Sequence, residues 1–208
     1  MAKLAVFDFD STLMDGETID FFAKELDFEK EVSIITERAM AGELDFFQSL
    51  IERAKLLKGL DESLARAICI NLPMMLGASE VVSGLKERGY TVICFSGGFR
   101  IATKLKCEQI GIDIEFANFL YADDNNKLTG EVGGEMMYGD AKGDMIVRLQ
   151  KLLNIGRENT LVIGDGANDL SMFKHADTRV AFCAKPVLKA AATHCVDVKD
   201  LREILKIV

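Results

Sequence analysis

The sequence of 208 residues has no tryptophan, two prolines and no excess of positive charge. Its 25 Lys and Arg residues face 33 Asp and Glu residues, a net charge of −8 that argues against a nucleic-acid partner, because such binding needs cations. The longest uncharged stretch, residues 67–79, is too short to span a bilayer. The first apolar run lacks a small-residue cleavage site, so we expect no signal peptide and no membrane association, and predict a cytoplasmic protein.

Cysteine and histidine are also scarce. No C-x-x-C pair occurs, and we expect the thiols to be small buried groups in a reducing compartment. His175 and His194 lie far apart and have no second histidine at ligand spacing, which argues against zinc. The five cysteines are Cys69, Cys94, Cys107, Cys183 and Cys195.

Short apolar runs alternate with amphipathic helical patterns along most of the chain. The alternation predicts an α/β fold in which a parallel sheet is covered by helices on both faces. The predicted strands are residues 3–9, 91–96, 160–164 and 179–183. The helical patterns are residues 79–88, 99–110, 142–153, 168–175 and 187–193.

Two stretches interrupt this alternation. Residues 17–72 carry only helical patterns and predict a small helical insertion after the first strand, with turn residues at both edges. We therefore predict an α/β core of residues 1–15 and 73–208 and a helical cap of residues 16–72. Residues 118–134 alternate apolar and polar positions around an Asp-Asn-Asn sequence, which predicts a β-hairpin insertion.

The first predicted strand ends with Asp8 and Asp10, whose side chains project to the same side of an extended segment. Their repulsion should raise the pKa of one, so the pair suits one anionic nucleophile or metal ligand and one protonated acid. Alone, the pair equally fits a turn or an incidental ion site. An EF-hand is excluded, because Leu13 replaces the required glycine and Ile19 the closing glutamate.

Three further clusters follow predicted strands or begin helices. Ser96 and Gly97 offer a hydroxyl and a backbone N–H to an anion, or simply form a tight turn. Lys142 begins a helix, where its charge opposes the helix dipole and needs an anionic partner unless it faces solvent. Asp165 and Asp169 flank a glycine turn whose oxygen ligands favour Mg²⁺. Because parallel strands converge at their carboxyl ends, we predict one site built from all four clusters.

The order of these motifs resembles the haloacid dehalogenase superfamily of aspartate-nucleophile phosphotransferases. The matching elements are D-F-D-S-T at residues 8–12, the Ser96 turn, Lys142 and G-D-G-A-N-D at residues 164–169. The closer resemblance is to the phosphoserine phosphatase family, because residues 39–60 also match its cap pattern. It implies a HAD-like Rossmannoid three-layer core with a helical cap, a Mg²⁺ cofactor, and hydrolysis of O-phospho-L-serine in the last step of L-serine biosynthesis.

The resemblance also implies residue roles. Asp8 would be the nucleophile and Asp10 the general acid and base. The Asp8 and Asp165 carboxylates and the Asp10 backbone carbonyl would hold Mg²⁺, and Asp169 would orient metal-bound water. The implied substrate-binding residues are Glu17, Met40, Phe46, Arg53, Ser96, Gly97, Lys142 and Asn168.

The cap residues have a simpler interpretation as well. Phe46, Leu50 and Arg53 share one face of a helical pattern, which alone fits a core stripe with an arginine reaching solvent. In the family pattern Arg53 binds the substrate carboxylate and Glu17 the ammonium group. Two alternatives remain: a phosphatase or phosphotransferase of this superfamily acting on another small phosphomonoester, and a phospho-accepting receiver module that needs neither an acid at Asp10 nor a cap.

Overall fold

The computed structural model describes residues 2–208, in which seven strands form one sheet. The strands are β1 Lys3–Asp8, β2 Tyr90–Phe99, β3 Ile114–Ala122, β4 Leu128–Gly134, β5 Thr160–Gly164, β6 Thr178–Phe182 and β7 His194–Val196. The same residues contain nine α-helices: α1 Thr18–Leu26, α2 Glu29–Met40, α3 Phe46–Leu56, α4 Glu62–Ile70, α5 Ala78–Glu87, α6 Arg100–Ile110, α7 Ala141–Leu153, α8 Leu170–Phe173 and α9 Pro186–Lys189.

The strand order is β4-β3-β2-β1-β5-β6-β7. All neighbouring strands are parallel except β3 and β4, so the predicted parallel α/β fold is confirmed. Because β1 lies between β2 and β5, the loops that follow these three strands meet at one edge of the sheet.

Side chains of β1 enter two separate cores. Ala5 and Phe7 pack into a cluster with α5, α6 and the insertion, whereas Leu4 and Val6 pack with α7 and α8 on the opposite face. This alternation follows from the two-residue period of a strand. Burial on both faces explains why β1 is apolar from Leu4 to Phe7. No described helix has the length and apolar character needed to cross a membrane.

Helices α1 to α4 form the segment predicted as a cap, and their apolar faces continue the Phe7 cluster through residues such as Phe22. The two connections to the rest of the chain run side by side. The Asp15 N–H donates to the Pro73 carbonyl at 3.0 Å, and the Met75 N–H donates to the Leu13 carbonyl at 2.9 Å. The proposed boundaries of core and cap stay a prediction.

Helix α3 begins at a reciprocal capping box. The Gln48 N–H donates to Asp45 Oδ1 at 2.8 Å, and the Asp45 N–H donates to Gln48 Oε1 at 3.0 Å. Such a cap contributes about 1 kcal/mol and fixes where the helix starts. The position of its first residue in turn determines which side chains of α3 face the edge of the sheet.

The predicted hairpin is present and ends at Gly134 as expected, but its predicted start at Asn118 was wrong. β3 begins at Ile114, opposite Ile93 of β2, so the hairpin extends the main sheet. Its far end also pairs with the segment after α3. The Gly59 N–H donates to the Leu128 carbonyl at 2.7 Å, and the Leu128 N–H donates to the Leu60 carbonyl at 2.8 Å. The hairpin thus ties the edge of the sheet to the cap.

Candidate active site

Asp8 is the last residue of β1 and is 3% exposed. The chain then makes a wide turn through Phe9–Leu13, which contains Asp10. Within the turn Ser11 has a φ of 58°, an uncommon conformation for a residue with a side chain. Its N–H donates to the Gly16 carbonyl at 2.8 Å and closes the turn. The two aspartates of the first motif are therefore held by a constrained loop.

Lys142, in the first turn of α7, is buried beneath this loop. Its Nζ donates to Asp8 Oδ1 at 2.5 Å and to Asp169 Oδ1 at 2.6 Å. Burial alone would lower the pKa of Lys142, but the carboxylates of Asp169 and Asp8 outweigh burial and raise it. The cation that opposes the helix dipole thus has two anionic partners rather than solvent.

Asp169 uses both carboxylate oxygens within the protein. While Oδ1 accepts from Lys142, Oδ2 accepts from the N–H groups of Asp165 at 3.0 Å and Gly166 at 3.2 Å. A Cβ on Gly164 would lie 2.3 Å from Asp169 Oδ2, so this position requires glycine. The glycine turn therefore wraps closely around Asp169.

Three carboxylates converge at this point. Oxygens of Asp8, Asp165 and Asp169 lie within 4.8 Å of one another. Burial and the charge of Asp169 raise the pKa of Asp8 well above its usual range and that of Asp165 to about 6. One ammonium faces three carboxyl groups, and their mutual repulsion opposes full ionisation of all three. Carboxylate oxygens in such a group fit a hard divalent cation.

Asp10 points toward the start of α1 and toward Ser96. Its Oδ1 accepts from the Thr18 N–H at 2.7 Å and from Thr18 Oγ1 at 2.6 Å, where α1 begins. Among residues 2–208, the one hydrogen bond to Oδ2 is donated by Ser96 Oγ at 3.5 Å. Burial raises the pKa of Asp10, and the Thr18 hydrogen bonds oppose this rise. Oδ2 is therefore the oxygen better placed to carry a proton.

Ser96 and Gly97 lie near the end of β2, before α6. Ser96 is fully buried, and its Oγ accepts from the Gly98 N–H at 2.9 Å. A Cβ on Gly97 would lie 2.5 Å from the ring of Phe46, so only glycine permits this approach of α3. The side-chain amide of Asn118 stabilises this loop by donating to the Gly97 carbonyl at 3.1 Å.

Glu17 and Arg53 lie on the cap side of the same opening. Glu17 Oε1 accepts from Ser11 Oγ at 2.7 Å, and burial followed by repulsion from Asp10 raises its pKa to about 7. Arg53 Nη2 donates to Thr36 Oγ1 at 3.2 Å, while its Nε is buried without a partner. Each charged group is thus held by one neutral hydroxyl.

These elements enclose a cavity of about 520 Å³, which we call the catalytic cavity. Met40 lies at its rim and is 84% exposed. Ser96, Lys142 and Asp169 lie behind the surface, in contact with residues of the floor. The predicted site residues that line the cavity are Asp8, Asp10, Glu17, Met40, Phe46, Arg53, Gly97, Asp165 and Asn168.

A second contact between cap and core lies next to the cavity. The rings of Phe47 on α3 and Tyr138, in the loop before α7, stack with centroids 5.2 Å apart and an interplanar angle of 10°. Tyr138 is 65% exposed, so the pair lies at the surface. Together with the contact of Phe46 on Gly97, it seats the start of α3 on the core at two points.

The sequence analysis missed several residues of this site. Thr18 fixes Asp10, Thr36 fixes Arg53, Asn118 supports Gly97, and Lys185 lines the cavity. Thr18 had a usable signal, since a threonine at a helix start next to a catalytic loop is a natural donor. The others act through partners distant in sequence and show no local motif.

The sequence model of the haloacid dehalogenase-like hydrolases matches residues 2–177. A phosphoserine phosphatase of Wolinella succinogenes is 55% identical over 203 residues, covering 98% of this chain and 98% of its own. Two solved structures, a phospho-aspartyl intermediate analogue of phosphoserine phosphatase and a substrate-bound phosphoserine phosphatase complex, are each 47% identical with a TM-score of 0.93. Each alignment covers 100% of this chain and 99% of the other.

Proposed function

This chain belongs to the haloacid dehalogenase-like hydrolases, and from that membership we propose that it is a phosphoserine phosphatase, which hydrolyses O-phospho-L-serine to L-serine and phosphate. One observation carries the choice of substrate. The catalytic cavity has Asp8 at its floor and Glu17 and Arg53 on its cap side. An acidic and a basic group beside a phosphoryl-transfer centre match the ammonium and carboxylate of a phosphorylated amino acid.

In the first step, an oxygen of Asp8 attacks phosphorus and the bond to the serine oxygen breaks, giving an aspartyl-phosphate. A carboxylate needs no deprotonation to act as the nucleophile. Lys142 holds Asp8 through Oδ1 and fixes the direction in which the carboxylate points. It also places positive charge beside the incoming phosphate.

Asp10 supplies the proton for the departing serine oxygen. Burial raises its pKa, which favours the protonated form, and Oδ2 is the oxygen free of the Thr18 hydrogen bonds. In the second step the resulting carboxylate takes a proton from the water that attacks phosphorus. The bond between phosphorus and the Asp8 oxygen breaks, phosphate leaves, Asp8 is again a carboxylate, and Asp10 is again protonated.

We propose that Mg²⁺ is held by the carboxylates of Asp8 and Asp165 and by the backbone carbonyl of Asp10. The donor set fits, because three carboxyl groups converge beside one ammonium, and a cation there would relieve the repulsion that raises the pKa values of Asp8 and Asp165. When bound, such a cation screens the charge of the phosphate from the nucleophile. Asp169 keeps Lys142 and the glycine turn in place, because both of its oxygens are already engaged; its role in orienting metal-bound water stays a prediction.

The remaining predicted residues would bind the substrate. We assign the phosphate to the Gly97 N–H, the Ser96 hydroxyl, Asn168 and the remaining N–H of Lys142. Arg53 would receive the carboxylate and Glu17 the ammonium, with Phe46 and Met40 against the carbon chain. The position of Phe46 on Gly97 supports this arrangement, because it brings the cap wall directly over the phosphate site.

The decisive experiment replaces Arg53 by Ala and compares two substrates. Loss of the charge-assisted contact should cost about 2–5 kcal/mol in kcat/KM for phosphoserine. Phosphoethanolamine lacks the carboxylate, so the Arg53→Ala change should have little effect on kcat/KM for this substrate. A folded variant that treats both substrates as the unmodified enzyme does would reduce the assignment to a phosphatase for another small phosphomonoester.

A receiver module remains the poorer description, because it has no use for a cap that encloses the phosphate site. The reaction proposed here is the last step of L-serine biosynthesis. We also propose that it takes place in the cytoplasm, since the cysteines are free thiols suited to a reducing compartment.

A further inference from the structure

Within residues 2–208, Arg53 has a single side-chain hydrogen-bond partner. Its Nη2 donates to Oγ1 of Thr36, which lies on α2, 17 residues earlier. Both side chains line the catalytic cavity. The Nε–H of Arg53 is buried and has no acceptor. The guanidinium is therefore held at one corner while other donors stay unused.

The hydroxyl of Thr36 is itself oriented. It donates to the Val32 carbonyl, one turn earlier in α2, at 2.9 Å. A hydroxyl has one hydrogen and two lone pairs, so this donation leaves a lone pair for the arginine. Threonine is branched at Cβ and has few rotamers in a helix. Helix α2 thus presents a fixed acceptor to α3.

The acceptor is neutral, and this matters for recognition. A carboxylate in the same place would orient Arg53 but would also neutralise its charge. Asp20 lines the cavity too, yet no hydrogen bond joins it to Arg53 in the described part of the chain. Burial raises the pKa of Asp20, and the positive charge of Arg53 opposes this rise, so Asp20 acts on Arg53 through its charge and not as a hydrogen-bond acceptor.

We propose that Thr36 is a positioning residue for substrate specificity: its neutral hydroxyl aims Arg53 at the substrate carboxylate without neutralising the positive charge. The proposal rests on the proposed function, which assigns that carboxylate to Arg53. It adds a requirement on α2, an element that supplies no charged group to the substrate.

The test replaces Thr36 by Val, which keeps the branched shape and removes the hydroxyl. We expect kcat/KM for phosphoserine to fall about tenfold, mainly through KM, because a hydrogen bond to a charged group is lost. Phosphoethanolamine should change less than about twofold. Thr36→Ser keeps the hydroxyl and should restore most of the phosphoserine activity. Ser33→Ala, which removes an exposed hydroxyl from the same helix, is the matched control.

The same change in an Arg53→Ala background completes a double-mutant cycle. If Thr36 acts through Arg53, Thr36→Val adds no further loss there. Equal losses on both substrates, an undiminished loss in the Arg53→Ala background, or an unchanged KM in the single variant would each overturn the positioning role. If Arg53→Ala itself fails to distinguish the two substrates, the proposed function is what fails, whatever Thr36→Val does.

Discussion

At the floor of the catalytic cavity, Lys142 donates to both Asp8 and Asp169, and Asp169 also accepts two backbone N–H groups. On the cap side, Glu17 and Arg53 each have one side-chain partner in the described part of the chain, a neutral hydroxyl. The floor groups Asp8, Lys142 and Asp169 are almost completely buried, whereas Arg53 is half-buried and Glu17 is exposed. The two regions thus differ in how fully their charges are satisfied before any substrate arrives.

This difference separates chemistry from recognition. Charges fixed by several partners cost little reorganisation when the phosphate reacts, which is how a preorganised site stabilises a transition state. Charges with one neutral partner keep their binding capacity for the substrate. Changes at the floor should therefore affect every phosphomonoester alike, and changes at the cap should affect phosphoserine most.

The largest effect is expected at the floor. Asp8→Asn removes the nucleophile and weakens the charge that faces Lys142, so turnover should fall by about 10⁴-fold or more on every substrate. Trapping the acyl-phosphate with hydroxylamine measures the loss of the intermediate directly. A labelled adduct at Asp10 in this variant would mean that the two aspartates have exchanged roles.

Asp10→Asn should distinguish substrates by their leaving group. General-acid help of roughly 10²–10⁴-fold matters most for the poor alkoxide of serine, so phosphoserine should lose far more than p-nitrophenyl phosphate. Steady-state rates with both substrates measure the difference. Equal losses would assign Asp10 to positioning the turn rather than to proton transfer.

The cap side should show its own pH dependence. Burial and the charge of Asp10 raise the pKa of Glu17 to about 7. Below that pH the carboxyl is protonated and no longer attracts the ammonium, so kcat/KM for phosphoserine should fall, by up to about tenfold per pH unit. The ratio to p-nitrophenyl phosphate, which has no ammonium, isolates this effect. In the Glu17→Gln variant, the ratio of the two kcat/KM values should no longer depend on pH. A ratio that is independent of pH in the unmodified enzyme would contradict the assignment.

The smallest effect concerns the seating of the cap. Tyr138→Ala removes the stack with Phe47 and should raise KM by about threefold, because aromatic pairs contribute roughly 0.5–1.5 kcal/mol and this one is exposed. Tyr138→Phe keeps the ring and serves as control. Both phosphoserine and p-nitrophenyl phosphate should respond, since closure rather than recognition is altered. A response limited to phosphoserine would place Tyr138 with the recognition groups.

Much of the floor was predictable from sequence. Asp8 and Asp165 follow apolar runs that could only be strands, and the carboxyl ends of parallel strands converge. Lys142 was ambiguous until the structure showed Asp8 and Asp169 beside it. The rule that locates the site is thus topological, and it needs only the order of the elements.

The features that could not be predicted from the sequence depend on contacts between elements that are distant along the chain. The start of β3 at Ile114 and the short strand β7 escaped notice, because periodicity reports an apolar face but not its hydrogen-bonding neighbour. The Thr36 hydroxyl and the Phe47–Tyr138 stack were missed for the same reason. Neither residue type stands out from ordinary helix or loop composition.

The position of β1 between β2 and β5 also has a consequence for synthesis on the ribosome. Its neighbouring strands begin at Tyr90 and Thr160. At the usual rate of chain elongation, β1 therefore stays unpaired for a time on the order of 10 s after it has been synthesised. Pairing between such distant segments is also slow, and an unpaired apolar strand is prone to aggregate. Asp8 lies at the end of this strand, so the first appearance of activity on a nascent chain would report closure of the centre of the sheet.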